Sequence, residues 1–283
     1  MPSPSGTDAN YILGTHAEEL ERLRFQHELW RPTALAAWQR AGIGPGQTVL
    51  DIGAGPGFAA RDLAQLVGGG GRVLALERSP VYVADGQAMA RRAGLGQLEL
   101  RQFDLLQERW PLGPHDQPAA GFDAAWCRWV AMFLPDLEPL LNGLEQSLRP
   151  GGQVVLHEYM HWDTFGLHPH GSAIRRFGAA CQQSFRAAGG DPDVNRRLPA
   201  LLAARGWRIE ALQPLPVLGS SGSMAAQWME RFVEVYGVQL QSLGLWSAAD
   251  AASAREEIAA APAGSYWVGP TVLELRALAP LGG

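Results

Sequence analysis

The chain has 283 residues, 47% of them hydrophobic and 18% charged, with a formal net charge of −5. That length and balance suit one large α/β domain, or a core domain with insertions, around a substantial core. They argue against DNA or RNA as the main partner, because no Lys/Arg-rich block offsets the acidic balance. Two cysteines, Cys127 and Cys181, make no disulfide framework and show no metal-ligand spacing. The opening MPSPSGTDAN lacks the apolar stretch of a secretory signal, and no run approaches the ~18 apolar residues of a membrane span. A reduced, cytoplasmic protein without a membrane span is the expectation.

Residues 1–10 read as a disordered tail. Thr15-His16-Ala17-Glu18 reads as a capping box opening a helix to about Arg40, with Leu20, Leu23, His27 and Trp30 on one face and Gln26 at its edge. After GIGPG the chain alternates short apolar runs with helical patterns. TVLDIG, RVLALE, QLELRQFD, FDAAWCRW and QVVLHEYM read as strands. FAARDLAQLV is a helix that stops at Gly68. Ser79-Pro80 is an N-cap and first-turn proline opening a helix to about Ala93. A further helix between Asp136 and Leu148 ends at the turn signal Arg149-Pro150-Gly151-Gly152. Residues 163–205 and 223–261 read as mostly helical, GWRIEALQPLPVL as a strand, and SYWVGPTVLELRAL as a closing strand or bent strand pair.

Such alternation predicts a doubly wound, mostly parallel sheet with helices on both faces. In these sheets ligands sit beyond the carboxyl ends of the strands, near the point where strand order reverses. The stretch VLDIGAGPGF sits at such an end. Its glycines Gly53, Gly55 and Gly57 stand at alternate positions behind Asp51. Glycine admits positive φ and lets a ligand approach the backbone closely. The dinucleotide fingerprint expects a further glycine where Phe58 stands, so a nicotinamide oxidoreductase fits poorly.

VLDIGAGPG resembles the first motif of class I methyltransferases that use S-adenosylmethionine. The resemblance implies a Rossmann-like, seven-stranded fold whose glycine loop runs beneath the methionine and ribose portions of that cofactor. It implies that Asp51 lies near the methionine ammonium, and that Glu77, with Arg78 beside it, meets the ribose hydroxyls. By the same resemblance Asp104 accepts from the adenine amino group between Phe103 and Leu105. Ala54 lies in the glycine loop, and the backbone at Cys127 and Arg128 meets the methionine end. FDAAWCRWVAMFLPDLEPLLNGLEQSLRPGGQVVL is similar to the family's fourth strand, helix and Pro-Gly-Gly turn. YILGTHAEELERLRFQHELW resembles the cap helix of small-molecule methyltransferases of the ubiquinone and menaquinone biosynthesis type, and puts forward Tyr11 and Gln26 as cofactor contacts. The expected organisation is a methyltransferase domain over 11–283. It comprises a cap helix (11–42), a cofactor-binding core (45–160) and helical lid segments (163–205 and 223–261).

Methyl transfer from a sulfonium is an in-line displacement, so a protein performing it mainly aligns and desolvates the reactants. A general base is needed only where the acceptor must lose a proton. His157, Glu158 and His161 are the candidates for that base, with hydrogen-bonded packing as the competing reading for each histidine. A zinc site from His157, His161, His168 and His170 matches no metal motif, and no metal is expected. Trp129 and Trp162 are candidate substrate walls for a flat or apolar acceptor. Arg128 is a partner for an acidic acceptor or a balance for a helix end. The leading reading is an enzyme methylating a small aromatic or amphipathic metabolite on O, C or N. The competing reading is a catalytically silent protein that binds the same cofactor as a regulator or assembly factor. Exposed helices are candidates for pairing two chains into a homodimer, although no heptad pattern is sustained.

Overall fold

The computed structural model describes residues 17–106, 110 and 118–281. The proposed tail, the Thr15 cap and Tyr11 lie outside the described residues. In chain order, α1 (Ala17–Arg40) leads into β1 (Thr48–Ile52), α2 (Phe58–Val67), β2 (Arg72–Glu77), α3 (Pro80–Arg92) and β3 (Leu98–Gln102). Then come β4 (Phe122–Arg128), α4 (Glu138–Ser147) and β5 (Leu148–His161). The second half holds β6 (Gly166–His168), α5 (Ser172–Ala187), α6 (Leu198–Ala204), β7 (Arg208–Leu215) and β8 (Leu218–Ser220). It closes with α7 (Met224–Ser242), α8 (Ala248–Ala259), β9 (Tyr266–Val268) and β10 (Thr271–Leu278).

Seven strands form the main sheet in the order β3-β2-β1-β4-β5-β10-β7. β1 to β5 run parallel, and β10 is antiparallel to both its neighbours. A parallel sheet must be covered on both faces, which is why β2, RVLALE, is buried almost throughout. On one face α1 and α2 cover the sheet, with Trp38 and Trp126 meeting edge to face at 5.3 Å. The other face buries Ile52, Cys127 and Leu156 with Leu140 and Leu144 of α4. This is the Rossmann-like, doubly wound fold read from the alternating pattern. Strand order reverses at β1, because the chain moves outward through β2 to β3 and returns as β4 on the other side. A crevice therefore opens beyond the ends of β1 and β4.

Local signals settle several boundaries. Ser79 Oγ accepts from the Tyr82 N–H at 3.4 Å, and Pro80 opens α3, as the Ser-Pro pair predicts. The expected turn at Arg149–Gly152 is instead the irregular start of β5, where the register against β4 shifts between Phe122 and Ala124. The second half is also less purely helical than its pattern suggests. A small sheet of order β6-β9-β8 stands apart from the main one. The closing segment is the bent pair: Tyr266–Val268 joins the small sheet, and Thr271–Leu278 joins the main sheet.

Candidate active site

The glycine loop lies at the end of β1. Gly53, Gly55 and Gly57 take φ of 67°, 55° and 83°. Two of them matter for different reasons. A β-carbon on Gly53 would stand 2.3 Å from Val130 Cγ2, so the loop can reach the segment after β4 only without a side chain there. A β-carbon on Gly55 would meet nothing within 4 Å, so this position faces open space. Glu77, at the end of β2, ties the loop in place. Its Oε2 accepts from the Gly55 N–H at 2.9 Å and its Oε1 from the Ser79 N–H at 2.7 Å. Burial pushes the Glu77 carboxyl above the ordinary range despite these bonds.

Asp51 is 2% exposed, and its Oδ2 has no hydrogen-bond partner. Burial pushes its carboxyl up to about 7, opposed by the nearby Arg128 and reinforced by Glu77. Arg128 shares the cleft. Its Nη2 donates to His27 Nδ1 at 3.2 Å, while Nη1 is buried without a partner. Burial lowers Arg128 to about 10. His27, on α1, reaches Asp62 Oδ2 on α2 through Nε2 at 3.1 Å, and Arg31 Nε donates to the same oxygen at 2.5 Å.

The cleft has a volume of about 540 Å³. At one end it is lined by the glycine loop, Glu77, Arg78, Asp104 and Leu105. Asp104 Oδ1 accepts from the Leu106 N–H at 3.0 Å. Phe103 is buried beside them, with its ring 5.6 Å from that of Trp110. At the other end the cleft becomes an aromatic chamber walled by Trp129, Tyr159, Trp162, Phe165, Trp228 and Phe232. Trp129 takes a positive φ of 53° and stacks on Tyr159 at 5.7 Å and on Trp228 at 6.3 Å. Gln26 also lines the cleft, its Oε1 accepting from Arg22 Nη1 at 2.9 Å and from Trp228 Nε1 of the chamber at 3.0 Å.

Phe103 and four other expected site residues do not line this cleft with their side chains. Cys127 is fully buried on the opposite face of the sheet, its Sγ 3.8 Å from Glu158 Oε1. Glu158 lies on that same face beneath the segment after β4. Its Oε1 accepts from the N–H groups of Val130 at 2.7 Å and Ala131 at 2.9 Å. His157 is buried between Trp126, at 4.7 Å between ring centroids, and Glu274 Oε2, at 3.3 Å. His161 is exposed at the end of β5, past the register shift between Thr271 and Val272. Strand alternation separates Glu158 from His157 and Tyr159, and of these three only Tyr159 reaches the cleft. Among the described residues, no cluster of three His, Cys, Asp or Glu side chains is close enough to hold a metal ion.

His27, Arg22, Tyr159, Trp228 and Phe232 line the cleft without having been singled out as site residues. His27 does stand on the apolar stripe of the first helix, but nothing local marks it as the neighbour of Asp62 and Arg128.

The arrangement fits S-adenosylmethionine. Asp51 offers a carboxylate oxygen with no partner, Gly55 leaves open space above the loop, and Glu77 and Asp104 stand at successive strand ends along one cleft. The fold and this cleft define a class I methyltransferase core. Residues 49–152 match the family model described as a methyltransferase domain. Over 127 residues the chain is 29% identical to a sterol 24-C-methyltransferase of Eremothecium gossypii, covering 44% of this chain and 32% of that one. Over 152 residues it is 30% identical to a 2-phytyl-1,4-naphtoquinone methyltransferase of Synechococcus elongatus, covering 53% of this chain and 58% of that one. The alignments thus span between a third and somewhat over half of these relatives. In three dimensions it is similar to the geranyl diphosphate C-methyltransferase of Streptomyces coelicolor. That match has a TM-score of 0.55 at 16% identity over 96% of this chain and 90% of that one. No helix of the described residues is long and apolar enough to cross a membrane.

Proposed function

We propose that the chain transfers the methyl group of S-adenosylmethionine to a small, bulky, largely apolar acceptor held in the aromatic chamber. One observation carries this reading: the glycine-loop cleft and the chamber form one continuous cavity of about 540 Å³. The names of the sterol and phytyl-naphthoquinone relatives support an acceptor of that character. A cytoplasmic setting belongs to this reading, as does the pairing of two chains.

The cofactor, when bound, supplies an already activated methyl group. Glu77 holds the glycine loop through Gly55 and presents its carboxylate toward the ribose, while Asp104 and Leu105 flank the adenine position. Asp51 meets the ammonium. Trp129, Tyr159 and Trp162 exclude water from the acceptor and fix its plane, which lets alignment and desolvation carry the rate. Among the described residues, the chamber walls themselves carry no carboxylate and no free imidazole. His27 has both ring nitrogens engaged, and Tyr159 stays protonated because burial pushes its phenol above the ordinary range. The acceptor this site suits therefore attacks as a carbon nucleophile or as a group that ionises unaided.

The test is calorimetric titration with S-adenosylhomocysteine, with NADH as the control ligand and Gly55→Arg as the variant. Micromolar binding lost in the variant, with no response to NADH, supports the cofactor site. Transfer of labelled methyl to prenylated quinols or sterols then supports the acceptor class. Binding without transfer to any acceptor favours the silent regulatory alternative. Absence of binding by folded protein overturns both.

A further inference from the structure

Asp51 and Arg128 carry opposite charges side by side on neighbouring strands. Asp51 pairs in register with Trp126 on β4, and Arg128 lies two residues further along, so both side chains emerge on one face of the sheet. They line one cleft and influence each other's ionisation, yet each keeps a buried atom without a partner, Asp51 Oδ2 and Arg128 Nη1. Orphaned charged atoms in a buried site are costly. One ligand bearing both an ammonium and a carboxylate on a single carbon satisfies the two atoms together.

The guanidinium is anchored for this task. Its Cζ lies over the Trp129 ring, 4.9 Å from the centroid, and over the Trp126 ring, 5.8 Å from the centroid. Because arginine has no acceptor, His27 Nδ1 must accept from Nη2, which places the imidazole proton on Nε2, facing Asp62. Asp62 is itself held by Arg31 and by Arg61 at 3.3 Å. The chain Asp62–His27–Arg128 thus fixes one edge of the guanidinium and leaves Nη1 as its free donor.

We infer that Arg128 is the receptor for the α-carboxylate of the bound cofactor's amino-acid end, opposite Asp51 at the ammonium, and that His27 is its positioning residue. The inference rests on the cofactor reading proposed above. It extends to the side chain the methionine-end placement that the family resemblance implies for the Arg128 backbone, and sets aside pairing with an acidic acceptor and balancing a helix end.

The test compares S-adenosylhomocysteine with S-adenosyl-3-thiopropylamine, its decarboxylated analogue, by calorimetry on the full chain. Wild type is expected to prefer the carboxylate-bearing ligand by about 10- to 100-fold. Arg128→Met should narrow that preference to about threefold or less by weakening S-adenosylhomocysteine alone, and Arg128→Lys should restore part of it. His27→Leu should narrow it in part with little effect on the analogue. That change in preference is one that general loosening of the fold would not produce. Wild type that binds both ligands equally overturns the Arg128 assignment and leaves the cofactor reading standing. Equal weakening of both ligands in Arg128→Lys and His27→Leu overturns it too. Wild type that binds neither ligand overturns the cofactor reading and this inference with it.

Discussion

Gly53 and Val130 touch so closely that a β-carbon on the glycine would stand 2.3 Å from Val130 Cγ2. Two loops from neighbouring strands are locked there, one carrying the cofactor motif and the other leading into the chamber. Gly53→Ala should therefore destabilise the fold by about 1–3 kcal/mol and weaken S-adenosylhomocysteine binding at least tenfold. Gly55→Ala meets open space and bears only the cost of its positive φ, about 1 kcal/mol. Urea denaturation of the two variants side by side measures the contrast, and equal costs would show that the Val130 contact does not matter.

Glu158 offers a sharper distinction. Its Oε1 receives two backbone N–H groups that shape the turn through Trp129, and its Oε2 has no partner. Glutamine keeps the acceptor, so Glu158→Gln should fold normally and retain methyl transfer within about threefold of wild type. Glu158→Leu orphans the N–H groups of Val130 and Ala131 and should cost about 2–5 kcal/mol. A hundredfold loss of turnover in the glutamine variant, with folding intact, would restore Glu158 as a base.

Stability should depend on pH in two separate windows. Burial raises both Asp51 and Glu158 to about 7 in the folded chain. A carboxyl raised in this way stabilises the fold while protonated; its contribution is complete below the unfolded value near ~4 and is lost as pH rises through about 7. The opposite holds for Glu274, lowered to about 2 by its bonds to His157 and Arg40 against the pull of burial. Its contribution is present above the unfolded value and lost as pH falls toward 2. Melting of the ligand-free chain should fall as pH rises from about 4 to about 7 by this argument, and Asp51→Asn with Glu158→Gln should flatten that limb.

Ligand binding should shift the same equilibrium. An ammonium beside Asp51 favours its ionised form, so S-adenosylhomocysteine should release a proton on binding near pH 6.5 and bind more tightly as pH rises toward 8. Titration in two buffers of different ionisation enthalpy counts the proton. A null count in wild type, unchanged in Asp51→Asn, would remove Asp51 from the ammonium.

Trp162 tests the chamber. It is 2% exposed, and its Nε1 has no partner. Trp162→Phe should cost less than about 2 kcal/mol and raise the acceptor KM while leaving cofactor affinity unchanged. A change in cofactor affinity instead would mean that the chamber and the glycine loop are not separable.

What was legible beforehand follows from how local each requirement is. Gly53, Glu77 and Asp104 stand where a strand must end and a backbone must turn, and such demands leave marks within a few residues. Ser79-Pro80 is legible for the same reason. The link from Asp62 through His27 to Arg128 joins three elements across 35 and 101 residues, and each member alone looks like an ordinary charged or packed side chain. Glu158 was misplaced because alternation tells which residues share a face but not which face holds the cleft. The strands Gly166–His168, Leu218–Ser220 and Tyr266–Val268 are too short to show a period, and their partners lie far along the chain.

The bend at Gly269-Pro270 has a mechanical meaning. β9 belongs to the small sheet and β10 to the main one, with Pro270 itself on the cavity wall. Two further crossings, between β5 and β6 and between β7 and β8, stitch the same seam with little spare chain. A flap swings on one hinge of a few residues, and here three separate short connections cross the seam and must move together. The chamber is thus tied like a vault rather than hung like a jaw, and on the function proposed above its width would sort acceptors by girth.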